Sequence, residues 1–285
     1  MSAEISILKA MADLRLFGLA FKDISTWGAW QAFLAALFGI ALSDDQADTF
    51  RACAARSALP DGPFAEAWLV CGRRSGKSFI MALIAVFLAC FRDYRPYLGP
   101  GEKATIMVIA ADRRQARVVL RYVRGLLAAP VLQKLVVNDT AESIELAGNT
   151  IIEVGTASHS IRGYTIAAAL CDEIAFWPKE DSAAPDMEIL AALRPAMATI
   201  PRSMLIAASS PYSRSGALWD AYRRNYGATI HHSSSGVRRR AASARTLAPI
   251  GSGKAASGHS KALEAIPGVR IQGVLRDRGV NSASA

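Results

Sequence analysis

A chain of 285 residues that is 52% hydrophobic can bury a substantial core, as one large domain or two small ones. No uninterrupted apolar run reaches the roughly 18–20 residues of a membrane span, and the N-terminus lacks the pattern of a secretory leader. The net charge of +9 invites nucleic acid, but residues 228–285 hold nine Lys/Arg against two Asp/Glu, while residues 1–227 hold 24 against 22. The body is nearly neutral, so DNA contact there requires a local patch rather than bulk charge. Cys53, Cys71, Cys90 and Cys171 stand among apolar residues without metal-ligand spacing, which points to reduced core thiols in a cytoplasmic protein.

Residues 1–60 are a helical N-terminal segment in pattern and close on the turn residues Pro60-Asp61-Gly62-Pro63. Strands and helices then alternate through residues 61–227. Ala67-Trp68-Leu69-Val70-Cys71 reads as a buried strand, residues 72–78 as a loop and residues 79–88 as an apolar helix. Residues 104–110 form a solid apolar strand, and Asp112 opens a helix. Residues 143–146 and 150–154 flank Ala147-Gly148-Asn149 and predict a hairpin. Residues 166–171 and 203–208 are further buried strands. Residues 187–197 are helical, with a break expected at Pro195, and a last helix passes through residues 218–222. Apolar strands alternating with helices predict an α/β fold with a mostly parallel, doubly wound sheet. Residues 228–285 contain no Phe, Trp or Tyr, and nearly half are Ala, Ser or Gly. That stretch has little to bury and reads as a low-complexity, disordered tail.

The loop Gly72-Arg73-Arg74-Ser75-Gly76-Lys77-Ser78 carries the first chemistry. A basic loop between buried strand and helix, ending Gly-Lys-Ser, has the Walker A form of a phosphate cradle. Backbone N–H groups and the helix N-terminus face the anion, Lys77 reaches the β- and γ-phosphates, and Ser78 ligates Mg²⁺. The usual pattern wants glycine where Cys71 stands, and an ordinary strand-to-helix turn with a basic tip has the same local form. Asp172-Glu173, after Ala168-Ala169-Leu170-Cys171, is the matching Walker B half. Asp172 would hold Mg²⁺ and Glu173 would orient and deprotonate the attacking water; a surface or capping Asp-Glu pair is the plain alternative. Ser209-Ser210-Pro211 ends another strand, where small hydroxyls can sense the γ-phosphate or simply terminate the strand. Arg162, beside Gly163, is placed to touch phosphate, DNA or a neighbouring subunit, unless it is a solvated loop residue as His159 is taken to be.

In order, residues 72–78, Ile161-Arg162-Gly163-Tyr164-Thr165, Cys171-Asp172-Glu173-Ile174-Ala175-Phe176-Trp177 and Ser209-Ser210-Pro211-Tyr212 resemble the large terminase subunit of tailed bacteriophages, over roughly residues 25–227. The resemblance implies a P-loop NTPase: the N-terminal ATPase domain of a motor that couples ATP hydrolysis to translocation of double-stranded DNA in the bacterial cytoplasm. It implies a homo-oligomeric ring working with a portal protein and a small terminase subunit. The displaced glycine and the arginine inside the loop are habits of that family. Carried over by position, Gly72, Arg74, Ser75, Gly76, Lys77 and Ser78 contact ATP, and Arg73 stabilises transition-state charge. Ser78 and Asp172 hold Mg²⁺, Glu173 is the catalytic glutamate, and Ser209, Ser210 and Pro211 couple hydrolysis to movement. Gln31 matches the upstream glutamine that reads adenine, with a buried or capping glutamine as the other option. A helicase-like ATPase would need further motifs after Pro211, and the sequence has none.

Family members continue into a ribonuclease-H-like nuclease. Residues 228–285 hold only the acidic residues Glu264 and Asp277, too few for a two-metal site, so nuclease activity is not expected of them. Codons permitted for residues 228–240 can be chosen so that, read one base out of register, they give a hydrophobic, Trp-containing string of the kind that would open the family's next region. The expectation is a frameshifted tail, which would make the chain a non-functional or binding-only remnant of a terminase from a degraded prophage.

Overall fold

The computed structural model describes residues 5–157, 163–177 and 185–227, with the backbone of 244–249 and 271–276. Three helices open the chain: α1 (Ile7–Ala12), α2 (Gly28–Phe38) and α3 (Asp44–Ala54). Ser43 starts α3 with a capping box: its hydroxyl accepts from the Gln46 N–H, and the Gln46 side chain accepts from the Ser43 N–H. Gly39 ends α2 at a φ of 67°, and the Pro63 nitrogen lies only 2.6 Å from where a Cβ on Gly39 would be. The Phe64 N–H donates to the Leu37 carbonyl at 3.0 Å, so the helix end is fastened to the turn that enters the sheet.

Seven strands follow: β1 (Glu66–Cys71), β2 (Ala104–Ala110), β3 (Val136–Asp139), β4 (Ser143–Leu146), β5 (Thr150–Thr156), β6 (Thr165–Asp172) and β7 (Met204–Ser209). They lie in the order β3-β4-β5-β2-β6-β7-β1. From β5 to β1 the strands are all parallel, while β3 and β4 close one side antiparallel. The backbones of β8 (Ala244–Pro249) and β9 (Ile271–Arg276) continue the sheet antiparallel beyond β1. Most of the tail read from the sequence lies outside the described residues. The hairpin falls where the turn residues place it, with Gly148 and Asn149 both at positive φ. Strand β3, mostly exposed, carried no apolar pattern to announce it.

The helices α4 (Lys77–Phe91), α5 (Arg113–Leu127), α6 (Pro130–Gln133), α7 (Pro185–Ala196) and α8 (Ala217–Asn225) cover the sheet. Side chains alternate along each strand and feed two cores. Ile106 and Val108 of β2 join Trp30, Phe33, Leu83, Phe87 and Val119 on one face. Met107 and Ile109 join Leu190, Leu193, Leu218 and Leu205 on the other. This is the doubly wound α/β arrangement that the sequence predicts. Helix α4 is apolar almost all round because residues 80–89 are buried without a gap. Helix α7 includes Pro195 and ends one residue later, at Ala196, so the break falls beside the proline, which has no N–H to give to the carbonyl four residues back. Segment 1–60 shares the first core with the sheet: Ile7, Met11, Trp30 and Phe50 pack in the same cluster as Leu69 and Ile80. Among the described residues no helix is long and apolar enough to cross a membrane.

Parallel strands send their C-terminal ends to one edge, so Cys71, Ala110, Asp172 and Ser209 finish side by side, and ligands of open α/β sheets bind at such an edge. Gly39→Ala should destabilise the fold by about 2 kcal/mol or more, because the left-handed conformation and the Pro63 backbone both oppose a side chain. Chemical denaturation of the two proteins measures it.

Candidate active site

Sequence order is converted to proximity at this edge. The loop 72–78 leaves β1 and enters α4. Arg74 and Gly76 stand at φ 61° and 85°, with Ser75 between them at negative φ, an alternation that turns backbone N–H groups into an anion-binding nest. Two tryptophans from the N-terminal segment hold it. Trp30 Nε1 donates to the Ser75 carbonyl at 2.8 Å in a buried bond, and Trp27 packs so close to Gly76 that a Cβ there would meet its ring at 2.8 Å. Neither tryptophan was singled out from the sequence. The usable signal was two indoles three residues apart, whose N–H must find a partner when buried.

The acidic pair stands opposite the loop. Ser78 Oγ donates to Asp172 Oδ2 at 2.9 Å, and Lys77 Nζ lies 2.6 Å from Glu173 Oε1. Glu173 sits at φ 51°, in the left-handed region that a residue of its type enters rarely, and it is fastened from several sides. The Ser210 N–H donates to its Oε2 at 2.9 Å, the Ser209 hydroxyl reaches the same oxygen at 3.0 Å, and the Ser210 hydroxyl reaches Oε1 at 3.3 Å. Asp172 is the opposite case. It is 2% exposed, and its Oδ1 meets no hydrogen-bond partner among the described residues.

The two carboxyls therefore titrate apart. Burial pushes Asp172 above the ordinary carboxylate range, and the Lys77 charge and the Ser78 hydroxyl recover only part of that. Burial pushes Glu173 up as well, but the Lys77 ammonium and the Ser210 and Ser209 donors outweigh it and hold the group below its usual value. Burial also raises the strand-end thiols Cys71 and Cys171, so both stay protonated and inert.

A cavity of about 570 Å³ opens between these parts, lined by Arg73, Arg74, Lys77, Glu173 and Ser210 with Ala111, Asp112, Gln115 and Phe176. That volume suits a nucleotide-sized ligand. Arg73 and Arg74 are exposed at its mouth. Gly72, Ser75, Gly76 and Ser78 shape the loop behind the wall, while Pro211 is exposed beyond Ser210. Gln31 stands outside the lining, its amide donating to the Ile24 carbonyl at a long 3.4 Å. Arg162 and His159 lie outside the described residues. The bare Asp172 oxygen beside Ser78 fits a cation: a hydroxyl plus one carboxylate is the partial set that Mg²⁺ takes when substrate phosphates and water complete its octahedron.

Residues 69–184 match the family model of the N-terminal part of the T4-like-virus-type terminase large subunit. Among solved structures, the large terminase of bacteriophage HK97 is similar at 18% identity and a TM-score of 0.42, over 56% of this chain and 32% of its own. The large-terminase ATPase domain of Thermus phage P74-26 is similar at 16% identity and a TM-score of 0.38, over 67% of this chain and 72% of its own. The chain thus spans about a third of the HK97 protein. Comparison with curated proteins finds no match. The resemblance drawn from the motifs is met by the family match between β1 and the residues just beyond the acidic pair.

Opposite shifts give opposite stability effects. A carboxyl raised on folding costs stability above its unfolded value, and the cost is relieved as pH falls; one lowered on folding adds stability above its unfolded value and loses it as pH falls through the folded value. At pH 7, without nucleotide or Mg²⁺, Asp172→Asn should therefore raise the unfolding midpoint. Glu173→Gln should lower stability by about 1–3 kcal/mol, as expected for losing hydrogen bonds to a charged group. Asp172→Asn gains should vanish toward pH 4. Urea unfolding across that range checks both signs.

Proposed function

We propose that this chain, with its large-terminase match over residues 69–184, binds ATP at the strand edge and hydrolyses it to translocate double-stranded DNA as part of a phage packaging motor. The observation that carries the proposal is Ser78 bonded to Asp172 across 94 residues of sequence while the second Asp172 oxygen is left bare. That is a half-built cation site beside a phosphate cradle.

The triphosphate lies along loop 72–78, its charge met by the N-terminus of α4, by Lys77, and by Arg74 at the mouth. Lys77 exchanges Glu173 for the γ-phosphate. Glu173 keeps the Ser209 and Ser210 donors on Oε2 and is left with Oε1 to take a proton from water. Arg73 offers a planar set of donors to the charge that spreads over the transferring phosphoryl group. Mg²⁺, bound through Ser78 and Asp172, would neutralise charge on the β- and γ-phosphates. Gln31, next to the loop-holding Trp30, serves as the adenine contact once its long bond to Ile24 is given up.

Coupling follows from the same bonds. When Glu173 changes partners, the residues that hold it respond, and those are Ser209 and Ser210 at the end of β7, followed by Pro211. The Ser209 hydroxyl also accepts from the Ala175 N–H at 3.3 Å, which ties the strand end to the turn after Glu173. The partners proposed are double-stranded DNA, a small terminase subunit, a portal protein and further copies of the chain in a ring, with Arg162 at the DNA or subunit contact.

Lys77→Ala should weaken ATP binding and stop turnover. Glu173→Gln should retain ATP while kcat falls by about 10²-fold or more. Steady-state hydrolysis together with fluorescent-nucleotide binding reads both, and turnover that survives both substitutions sinks the site. Added duplex DNA should raise wild-type turnover; indifference to DNA would leave a hydrolase without the proposed motor role.

A further inference from the structure

Helix α5 begins where β2 ends, and β2 lies next to β6, with Ile109 paired to Cys171. The first turn of α5 therefore faces the acidic pair from one strand away. Asp112 caps that turn, accepting from the Gln115 N–H at 2.8 Å, so the Gln115 backbone is fixed. The Gln115 side chain lines the same cavity as Lys77, Glu173 and Ser210. Its Oε1 is shut off from solvent and meets no hydrogen-bond donor among the described residues. A closed-off amide oxygen without a donor costs stability, by about 1–3 kcal/mol. A functional site is where such a cost is tolerated.

We infer that Gln115 is a catalytic residue that holds the attacking water: its amide rotates into the cavity that the residue lines, and Oε1 exchanges its closed-off, donorless position for one water O–H while Glu173 Oε1 takes the other. The inference rests on the ATPase proposal and adds to it the second anchor that a water needs if its oxygen is to face phosphorus. Glu173 alone fixes one proton and leaves the lone pair free to swing. With both held, the water oxygen bonds to the γ-phosphorus and the bond from that phosphorus to the β–γ bridging oxygen breaks, its electron pair leaving with ADP. The water proton passes to Glu173 and then to the departing phosphate. Gln115 itself exchanges no proton, because a carboxamide neither gains nor loses one near neutral pH; its contribution is alignment.

The test uses the full chain and the substitutions Gln115→Leu, which keeps volume without the polar group, and Gln115→Ala. Two readouts are taken: steady-state ATP hydrolysis, and binding of fluorescent ADP with and without aluminium fluoride, which mimics the transferring phosphoryl group. Expected is a fall in kcat of about 10²-fold, with KM and ADP affinity within about twofold and the tightening by aluminium fluoride lost. Retained kcat in either folded variant overturns the inference. So does a rise in KM at unchanged kcat, which would make Gln115 a nucleotide-binding residue only. A parent chain that neither hydrolyses ATP nor binds ADP more tightly with aluminium fluoride overturns the ATPase proposal and this inference together.

Discussion

Two adjacent carboxylates, buried at the end of a parallel strand, set the terms for everything around them. Removing one such charge from water costs several kcal/mol unless donors or an opposite charge replace the solvent. The chain meets that demand completely for Glu173 and by half for Asp172. Glu173 draws Lys77 from the loop and Ser209 and Ser210 from the end of β7, so two separate stretches are fastened to the side chain of a third. Asp172 receives the Ser78 hydroxyl and, among the described residues, nothing on its other oxygen. Strand order follows the same logic: β6 lies beside β7, and β7 beside β1, which brings all three stretches within reach.

The difference between the two carboxyls fits the two roles proposed for them. A group held below its usual titration range keeps its charge, and in the ATPase proposed above Glu173 would receive a proton once Lys77 leaves it for phosphate. A group raised by burial is uncomfortable as an anion until a stronger cation than a hydroxyl dipole arrives, which favours a divalent ion over a side chain. Environments that push neighbouring acids apart mark acid–base roles elsewhere, and here one strand end accommodates both.

Much of this was legible in the sequence because local rules carry it. A solid apolar strand before residues 72–78, an apolar helix after them, and Asp172-Glu173 at the end of another apolar strand located the loop, the strands and the acidic pair. Gly148-Asn149 gave the hairpin turn. What escaped depends on contacts that no local pattern encodes. The hold of Trp30 on Ser75 spans 45 residues, and that of Lys77 on Glu173 spans 96. Gln115 looked like one more polar residue in an arginine-rich helix start, because nothing in Arg113-Arg114-Gln115 says which side chain turns inward. Strand β3 escaped because an exposed edge strand need not be apolar, and the helix end expected at Pro195 falls one residue later, at Ala196.

The two tryptophans behind the loop separate two boundaries that are easily equated. The family-model match starts at Leu69, inside β1. The indoles that shape the loop stand at positions 27 and 30, in a segment that shares its core with the sheet. The smallest piece of chain able to hold loop 72–78 in this shape is therefore longer than the piece that the family model matches. On the ATPase reading, a substitution in α2 would loosen nucleotide binding without touching any residue of the motif. Substitutions in that segment would then adjust the loop's rigidity from a distance.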